Sequence, residues 1–438
     1  MLKKIFSAFL IICLILSSVT TVSAYEPSGI EITAKAAILV SLDTGEVLFE
    51  KNADEKVYPA SITKIMTTLL ILENEKYNPE AKIAMTQDVL DLISGTGSSV
   101  SLLKAGEEVS QLDLVYMVLM ASYGDCALLA ALYYGGSVEN FVNMMNTKAA
   151  ELGLSGTHYE NPIGLHHEQN YTTARDTYKL TATALQNETF KEVCSSTRHT
   201  VKTSMSGERT ISTTNFLQDN TTNYYYQYAK GVKTGYTDEA GRCLVSTASY
   251  NGYRYLCAVF GCPANEKKHF IESKELYRWA FNNFEFKKVA DNSNPVAEIG
   301  VNLSLDTDFV SLYIEKSFVS VLPKDADDST ISIVTHLVGE SVDAPIKKGD
   351  VLGTADIIYA EEVIGTVNLV SNEDVEKSTM LAALRAIKNF FASSYMKVVY
   401  VIIAAAILIF IIAVIKMNSK GSKKRKIKYV PYDKDEKR

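Results

Sequence analysis

Residues 398–415 form an uncharged run of 18 residues, mostly Ile, Val, Ala and Leu. A helix of that length just covers the roughly 30 Å hydrocarbon core of a bilayer. The run therefore predicts a transmembrane helix, which divides the chain into two compartments. Lys416, Lys420, Lys423, Lys424, Arg425, Lys426 and Lys428 follow it, and a basic cluster beside a span is retained on the cytoplasmic side. Residues 416–438 thus read as a basic cytoplasmic tail, with everything before the span outside. The other end agrees. Lys3 and Lys4 precede an apolar run over residues 5–19 and then Val22-Ser23-Ala24, the pattern of a signal peptide over 1–24 with a mature start near Tyr25. Over residues 376–397, Leu381, Leu384, Ile387 and Phe391 make one apolar stripe with Arg385 and Lys388 off it. That segment is either a helix lying on the membrane surface or a plain helical stalk.

Charge narrows the partners. The whole chain carries −7, but the tail alone carries +7 and the leader +2, which leaves −16 on residues 25–415. So acidic a body has no electrostatic footprint for nucleic acid. Of six cysteines, Cys13 leaves with the leader, and the odd five that remain show no C-x-x-C spacing. Neither a disulfide framework nor a metal cysteine pair is implied. The six histidines include no H-E-x-x-H, so no metal site is expected.

Within the outer part, Pro59-Ala60-Ser61-Ile62-Thr63-Lys64 places a hydroxyl and an amine three residues apart. Ile62, Ile65, Met66, Leu69 and Leu70 then recur at helical spacing, which predicts an amphipathic helix with Ser61 and Lys64 on one face. In a first turn, unpaired N–H groups and the helix dipole favour a developing oxyanion. A desolvated lysine there could take the serine proton. About one or two S-x-x-K matches arise by chance in a chain this long. Another match, Ser394-Tyr395-Met396-Lys397, adjoins the apolar span, where a lysine serves as an interface anchor.

Before this helix, residues 37–40 and 47–49 flank Asp43-Thr44-Gly45 and predict a β-hairpin. After it, apolar helical spacing over 111–120 ends at Ala121-Ser122-Tyr123-Gly124-Asp125 and resumes over 126–134. Ser122 thus stands on a helix break, with Asp125 readable simply as a cap. Asn161-Pro162-Ile163-Gly164-Leu165 reads as a turn, and Thr172 or Thr173 as the cap of a helix entered through Ala174-Arg175-Asp176. The tyrosines of Asn223-Tyr224-Tyr225-Tyr226 read as strand packing rather than a stacking platform. Gly231-Val232-Lys233-Thr234-Gly235-Tyr236, residues 241–246 and residues 253–261 read as antiparallel strands, the last two joined at Asn251-Gly252. Lys233 and Thr234 offer an ammonium and a hydroxyl to a carboxylate, and Gly235 lets a substrate backbone approach the strand. Lys202-Thr203-Ser204 is a looser echo.

Ser61/Lys64, a serine at a helix break some sixty residues on, and Lys-Thr-Gly on a strand occur in the order used by penicillin-recognising serine enzymes. With Asn161-Pro162, Gly164-Leu165, Thr173-Ala174-Arg175-Asp176 and Lys233-Thr234-Gly235-Tyr236-Thr237, the text closely resembles low-molecular-weight penicillin-binding proteins of the serine D-alanyl-D-alanine carboxypeptidase family. The match spans roughly residues 30 to 285. A second part, around residues 344–350 and 365–376, resembles the small C-terminal β-domain of that family.

The resemblance implies an α+β fold: a β-lactamase/transpeptidase-like domain with an antiparallel sheet and a helical subdomain over 25–289, then a small all-β domain over 290–375. It implies a nucleophile Ser61, a general base Lys64, a proton relay Ser122, and a substrate site at Lys233, Thr234, Gly235 and Tyr236. The backbone N–H groups of Ser61 and Tyr236 would form the oxyanion hole. No cofactor is implied, and the partners are peptidoglycan stem peptides, β-lactams as inhibitors and the cytoplasmic membrane. One position departs from the family's Ser-x-Asn: here it reads Ser122-Tyr123-Gly124. Either Asn215 or water replaces the missing amide, or the protein is a slow enzyme or only a wall-binding one, or a related endopeptidase. If the motif is merely damaged, Gly124→Asn raises activity.

Overall fold

The computed structural model describes residues 30–264 and 266–420, so the leader expected over 1–24 and all but the first residues of the expected tail lie outside it. The chain forms two compact units. The first comprises the chain up to Val289 together with Phe318–Ile331; the second comprises Ala290–Ser317 and the chain from Ser332 onward.

The first unit is built on one sheet of five strands: β1 (Ala36–Ser41), β2 (Val47–Lys51), β3 (Ala229–Thr237), β4 (Gly241–Tyr250) and β5 (Tyr253–Cys262). Their order is β2-β1-β5-β4-β3, with every pairing antiparallel. At the β4–β5 hairpin, Asn251 and Gly252 have φ of 51° and 87°, the left-handed pair that a two-residue turn of matching twist requires. Four helices position the site: α1 (Lys64–Glu73), α2 (Gln111–Leu119), α3 (Gly124–Gly135) and α4 (Lys268–Asn283). Both faces of the sheet are covered. Ile38, Val40, Val245 and Phe260 join the core of α1, α2 and α3, whereas Leu39, Leu244 and Cys257 join Leu276, Tyr277 and Ala280 of α4. Double coverage explains why β1, buried at all six residues, reads as a continuous apolar run rather than an alternating one.

Helix α1 differs from its expectation. The apolar spacing predicts one buried face, yet every residue from Lys64 to Ile71 is buried. The helix runs through the middle of the subdomain, and its polar members are buried rather than solvated: Thr67 Oγ1 donates to the Pro162 carbonyl at 2.6 Å, whereas Thr68 Oγ1 has no hydrogen-bond partner among the described residues. Helical periodicity could not reveal this, because threonine counts as polar whether or not it finds a buried acceptor.

Strand Phe318–Pro323 pairs with Phe284–Ala290 to complete the first unit. Ser320, Val321 and Leu322 are buried. Ser320 Oγ and the Val321 N–H, the latter at 2.6 Å, donate to the Glu46 carboxylate in the β1–β2 turn. The second unit is a six-stranded, almost wholly antiparallel sheet with Glu362–Ser371 and Phe309–Ile314 at its centre. Helix Thr379–Ala392 follows, with no residue buried, and then helix Ser394–Lys420. The window Ser394–Met417 is long and apolar enough to cross a membrane and is wholly unburied. Leu384, Ile387 and Phe391 of the preceding helix are likewise exposed.

Candidate active site

The chain enters the cleft through Pro59 and a single 3₁₀ turn, Ala60–Thr63, that runs into α1. No side chain caps this entry, so Ser61 is not the helix-capping serine that its position allows. Ala60, just before it, has φ of 46°, a left-handed value that costs a residue with a Cβ about 1 kcal/mol or more. The turn aims the Ser61 hydroxyl at Lys64, whose Nζ lies 3.0 Å from Ser61 Oγ.

Lys64 is completely buried. Burial without a paired carboxylate lowers its pKa from 10.5 to about 7, with the Asp125 and Cys126 side chains acting in the opposite direction. A near-neutral amine in hydrogen-bond reach of a hydroxyl is a competent general base at physiological pH. Its second hydrogen bond runs to the Ile163 carbonyl at 2.6 Å. That carbonyl is fixed by the Asn161 side chain, whose Oδ1 accepts from the N–H groups of Gly164 and Leu165 at 2.7 and 3.0 Å. Gly164 is obligatory: its φ is 84°, and a Cβ there would lie 1.8 Å from the Ala60 carbonyl oxygen. The Asn-Pro-Ile-Gly-Leu turn, readable in sequence only as structural, is thus the floor under Ser61 and the acceptor for Lys64. Its signal was the Asn-Pro and Gly pair, which marks a shaped turn without saying what the turn faces.

Strand β3 is the sheet edge beside this turn. A Cβ on Gly235 would meet the Pro59 carbonyl oxygen at 3.0 Å and Ser61 N at 3.2 Å. The glycine therefore admits the Ser61 turn, in addition to any substrate backbone expected there. Lys233 is buried and its ammonium donates to the Thr234 carbonyl at 2.9 Å. Burial and the nearby charge of Lys64 hold its pKa well below the ordinary lysine value. Thr234 Oγ1 donates to Thr214 Oγ1 at 2.6 Å. Tyr236 is exposed, and its hydroxyl donates to Asp238 at 2.6 Å.

Ser122 stands at the expected break between α2 and α3 with φ of 69°, again left-handed for a residue with a side chain. Asp125 is not the N-cap of α3, a position held by Tyr123. It is buried and accepts from Ser101 N and Oγ at 2.9 and 2.5 Å, and its charge acts on Lys64. Both ends of the Asn215 amide are engaged by backbone: Nδ2 donates to the Gly231 carbonyl at 2.6 Å and Oδ1 accepts from Leu217 N at 3.1 Å, which holds β3. Lys202 pairs with Glu208 on an exposed hairpin, so the looser Lys-Thr-Ser echo belongs to no site. Residues 224–226 lie in a turn and coil rather than in the expected strand, and Tyr225 is exposed; Tyr226 alone packs inward, stacking on Tyr277 within the α4 core. Among the described residues, no group of three His, Cys, Asp or Glu could hold a metal ion.

A hydroxyl, a lowered-pKa lysine, a second serine, and a buried Lys233 beside a half-buried Thr234 on the edge strand of the sheet can carry out acyl transfer through a serine ester. A family profile described as D-alanyl-D-alanine carboxypeptidase matches residues 20–264. The chain belongs to this family. A second profile, the penicillin-binding protein 5 C-terminal domain, matches residues 284–377. The D-alanyl-D-alanine carboxypeptidase DacF of Bacillus subtilis (strain 168) is 31% identical over 354 residues, 80% of this chain and 88% of that one. DacA of Escherichia coli (strain K12) is 29% identical over 364 residues, 82% of this chain and 87% of that one. Among solved structures, penicillin binding protein 5 from Haemophilus influenzae superposes with a TM-score of 0.66 at 29% identity, covering 79% of this chain and 98% of that one. The Streptomyces K15 DD-transpeptidase gives 0.55 at 30% identity, covering 57% of this chain and 98% of that one. This carboxypeptidase-family chain thus has both parts of the penicillin-binding protein 5 architecture.

Proposed function

We propose that the protein is a serine D-alanyl-D-alanine carboxypeptidase that removes the terminal D-alanine from peptidoglycan stem pentapeptides. The 3.0 Å contact between a buried, near-neutral Lys64 and the Ser61 hydroxyl carries this reading. Lys64 takes the Ser61 proton as Oγ attacks the carbonyl between the two D-alanines. The backbone N–H groups of Ser61 and Tyr236 receive the oxyanion. Ser122 passes a proton to the departing amine, D-alanine leaves, and water cleaves the Ser61 ester. Lys233 and Thr234 bind the terminal carboxylate, for which a buried lysine with no carboxylate partner among the described residues is suited. β-Lactams, whose strained amide offers the same carbonyl, acylate Ser61 and act as inhibitors.

The same reading places the catalytic unit outside the cytoplasmic membrane. It gives the chain a cleaved leader over 1–24, an anchor over 398–415 and a cytoplasmic tail over 416–438. The unburied window Ser394–Met417 supports the anchor. Protease added outside intact cells is expected to remove the catalytic unit and leave the Lys423–Lys428 cluster protected; loss of that cluster from outside reverses the topology.

For the activity, residues 25–390 are incubated with a pentapeptide ending in D-Ala-D-Ala and followed by mass spectrometry. Loss of one alanine and a penicillin adduct on Ser61 are expected, and both disappear in Ser61→Ala. A wild-type protein that neither cleaves nor labels overturns the assignment.

A further inference from the structure

Gly124 opens α3 where the family motif carries an amide side chain. Its φ is not left-handed, so backbone freedom does not account for the glycine. Space does. A Cβ on Gly124 would lie 2.3 Å from Ser98 Oγ and 3.1 Å from both Ser98 Cβ and Ile93 Cδ1. The volume that a side chain at 124 would enter already holds the hydroxyl of Ser98.

Ser98 reaches that volume from a loop fixed over the helix break at three points. The Gly124 N–H donates to the Ser99 carbonyl at 2.8 Å. The Asp125 carboxylate accepts from Ser101 N and Oγ. Arg209 Nη1 donates to the Ser101 carbonyl at 2.6 Å. These hydrogen bonds hold the loop backbone against the helix break. Ser98 is itself half-buried, and the hydrogen bond it makes within the protein comes from its backbone N–H, to Thr96 Oγ1 at 3.3 Å. Its hydroxyl, which both donates and accepts, stays available for a peptide group.

We propose that Ser98 supplies, from this loop, the substrate-binding polar group that position 124 lacks, its Oγ hydrogen-bonding the backbone amide of the stem peptide between Ser122 and β3. The proposal rests on the carboxypeptidase reading of the cleft. Gly124 and Ser98 then form one exchanged pair. The small residue at 124 makes room, and the hydroxyl from the loop fills it. The motif is relocated rather than damaged, and the expectation that Gly124→Asn alone raises activity is reversed, since the new side chain would meet Ser98.

A two-position cycle tests this, with kcat and KM for D-Ala-D-Ala cleavage, the rate of penicillin acylation and Tm measured for each variant. Ser98→Ala is expected to lower kcat/KM about tenfold, mainly through KM, with Tm unchanged. Ser98→Thr, which keeps the hydroxyl, retains most of the activity. Gly124→Asn alone is impaired, and combining it with Ser98→Gly restores kcat/KM to at least tenfold above Ser98→Gly alone. A Ser98→Ala kcat/KM within twofold of wild type, or a double variant no better than Ser98→Gly, overturns the proposal. Ser61→Ala is the separate control: residual cleavage there would sink the carboxypeptidase reading itself, whatever Ser98 does.

Discussion

Lys64 shows how a single side chain trades stability for chemistry. Neutral and buried, it contributes nothing as a charge, and protonating it inside the core is opposed by desolvation. The base is competent only after deprotonation. The rate of Ser61 acylation by a penicillin is therefore expected to rise with pH through a midpoint near 7, read from stopped-flow acylation rates. The same shift has a stability consequence. Between pH 7 and 10.5 the unfolded chain holds a proton on this lysine that the folded chain does not, so folding gains stability as pH rises through that window. Lys64→Met removes the term. It is expected to abolish acylation and to raise unfolding free energy by a few kcal/mol at neutral pH, by the conversion of about 1.4 kcal/mol per pKa unit. Denaturant titrations at several pH values check this, and the gain should shrink toward pH 10.5. Ser61, Lys64, Ser122 and Lys233 of the proposed site could be singled out in the sequence because each sits in a short contiguous motif. Asp125 and Ile163 were not: one looked like a cap, and the other acts through a backbone carbonyl that any residue possesses.

At the scale of elements, the cleft is three pieces of backbone held closer than side chains would allow. The turn Ala60–Thr63, strand β3 and the loop carrying Gly164 meet where two of the three lack a Cβ. Gly164→Ala is expected to be the more damaging change, since its Cβ would overlap the Ala60 carbonyl and its φ is left-handed. Loss of penicillin labelling together with a drop of more than about 3 kcal/mol in stability is the predicted outcome by chemical unfolding. Gly235→Ala meets its neighbours at 3.0 to 3.2 Å and should cost less stability while still slowing acylation. The strands of the five-stranded sheet were predictable from turn chemistry and apolar runs, and the β4–β5 turn followed from Asn-Gly alone, whereas the Arg198–Ser212 hairpin was not. That α1 is buried on every side was not predictable, because enclosure is set by neighbours far away in sequence.

For the whole molecule, the first unit is not one contiguous stretch of chain, since Phe318–Ile331 belongs with it. Ending the protein at Val289 is therefore predicted to destabilise that unit. Losing the buried side chains of Val321 and Leu322 alone removes about 1.5 to 3 kcal/mol each at most, and the Glu46 carboxylate loses two donors. Differential scanning calorimetry of residues 25–289 against 25–390 measures it, with a lower Tm expected for the shorter chain. Nothing in residues 318–331 announced this membership, because a short apolar strand carries no label saying which sheet it will join.

The contact between Glu46 and Ser320 spans 274 residues. A chain made N-terminus first lays down the β1–β2 hairpin early and must wait for most of its own length before the partner of that turn exists. The earliest hairpin is thus among the last elements to be satisfied. Until then its carboxylate stays in water, and a nascent chain arrested before residue 318 lacks both the strand that pairs with Phe284–Ala290 and the two donors to Glu46.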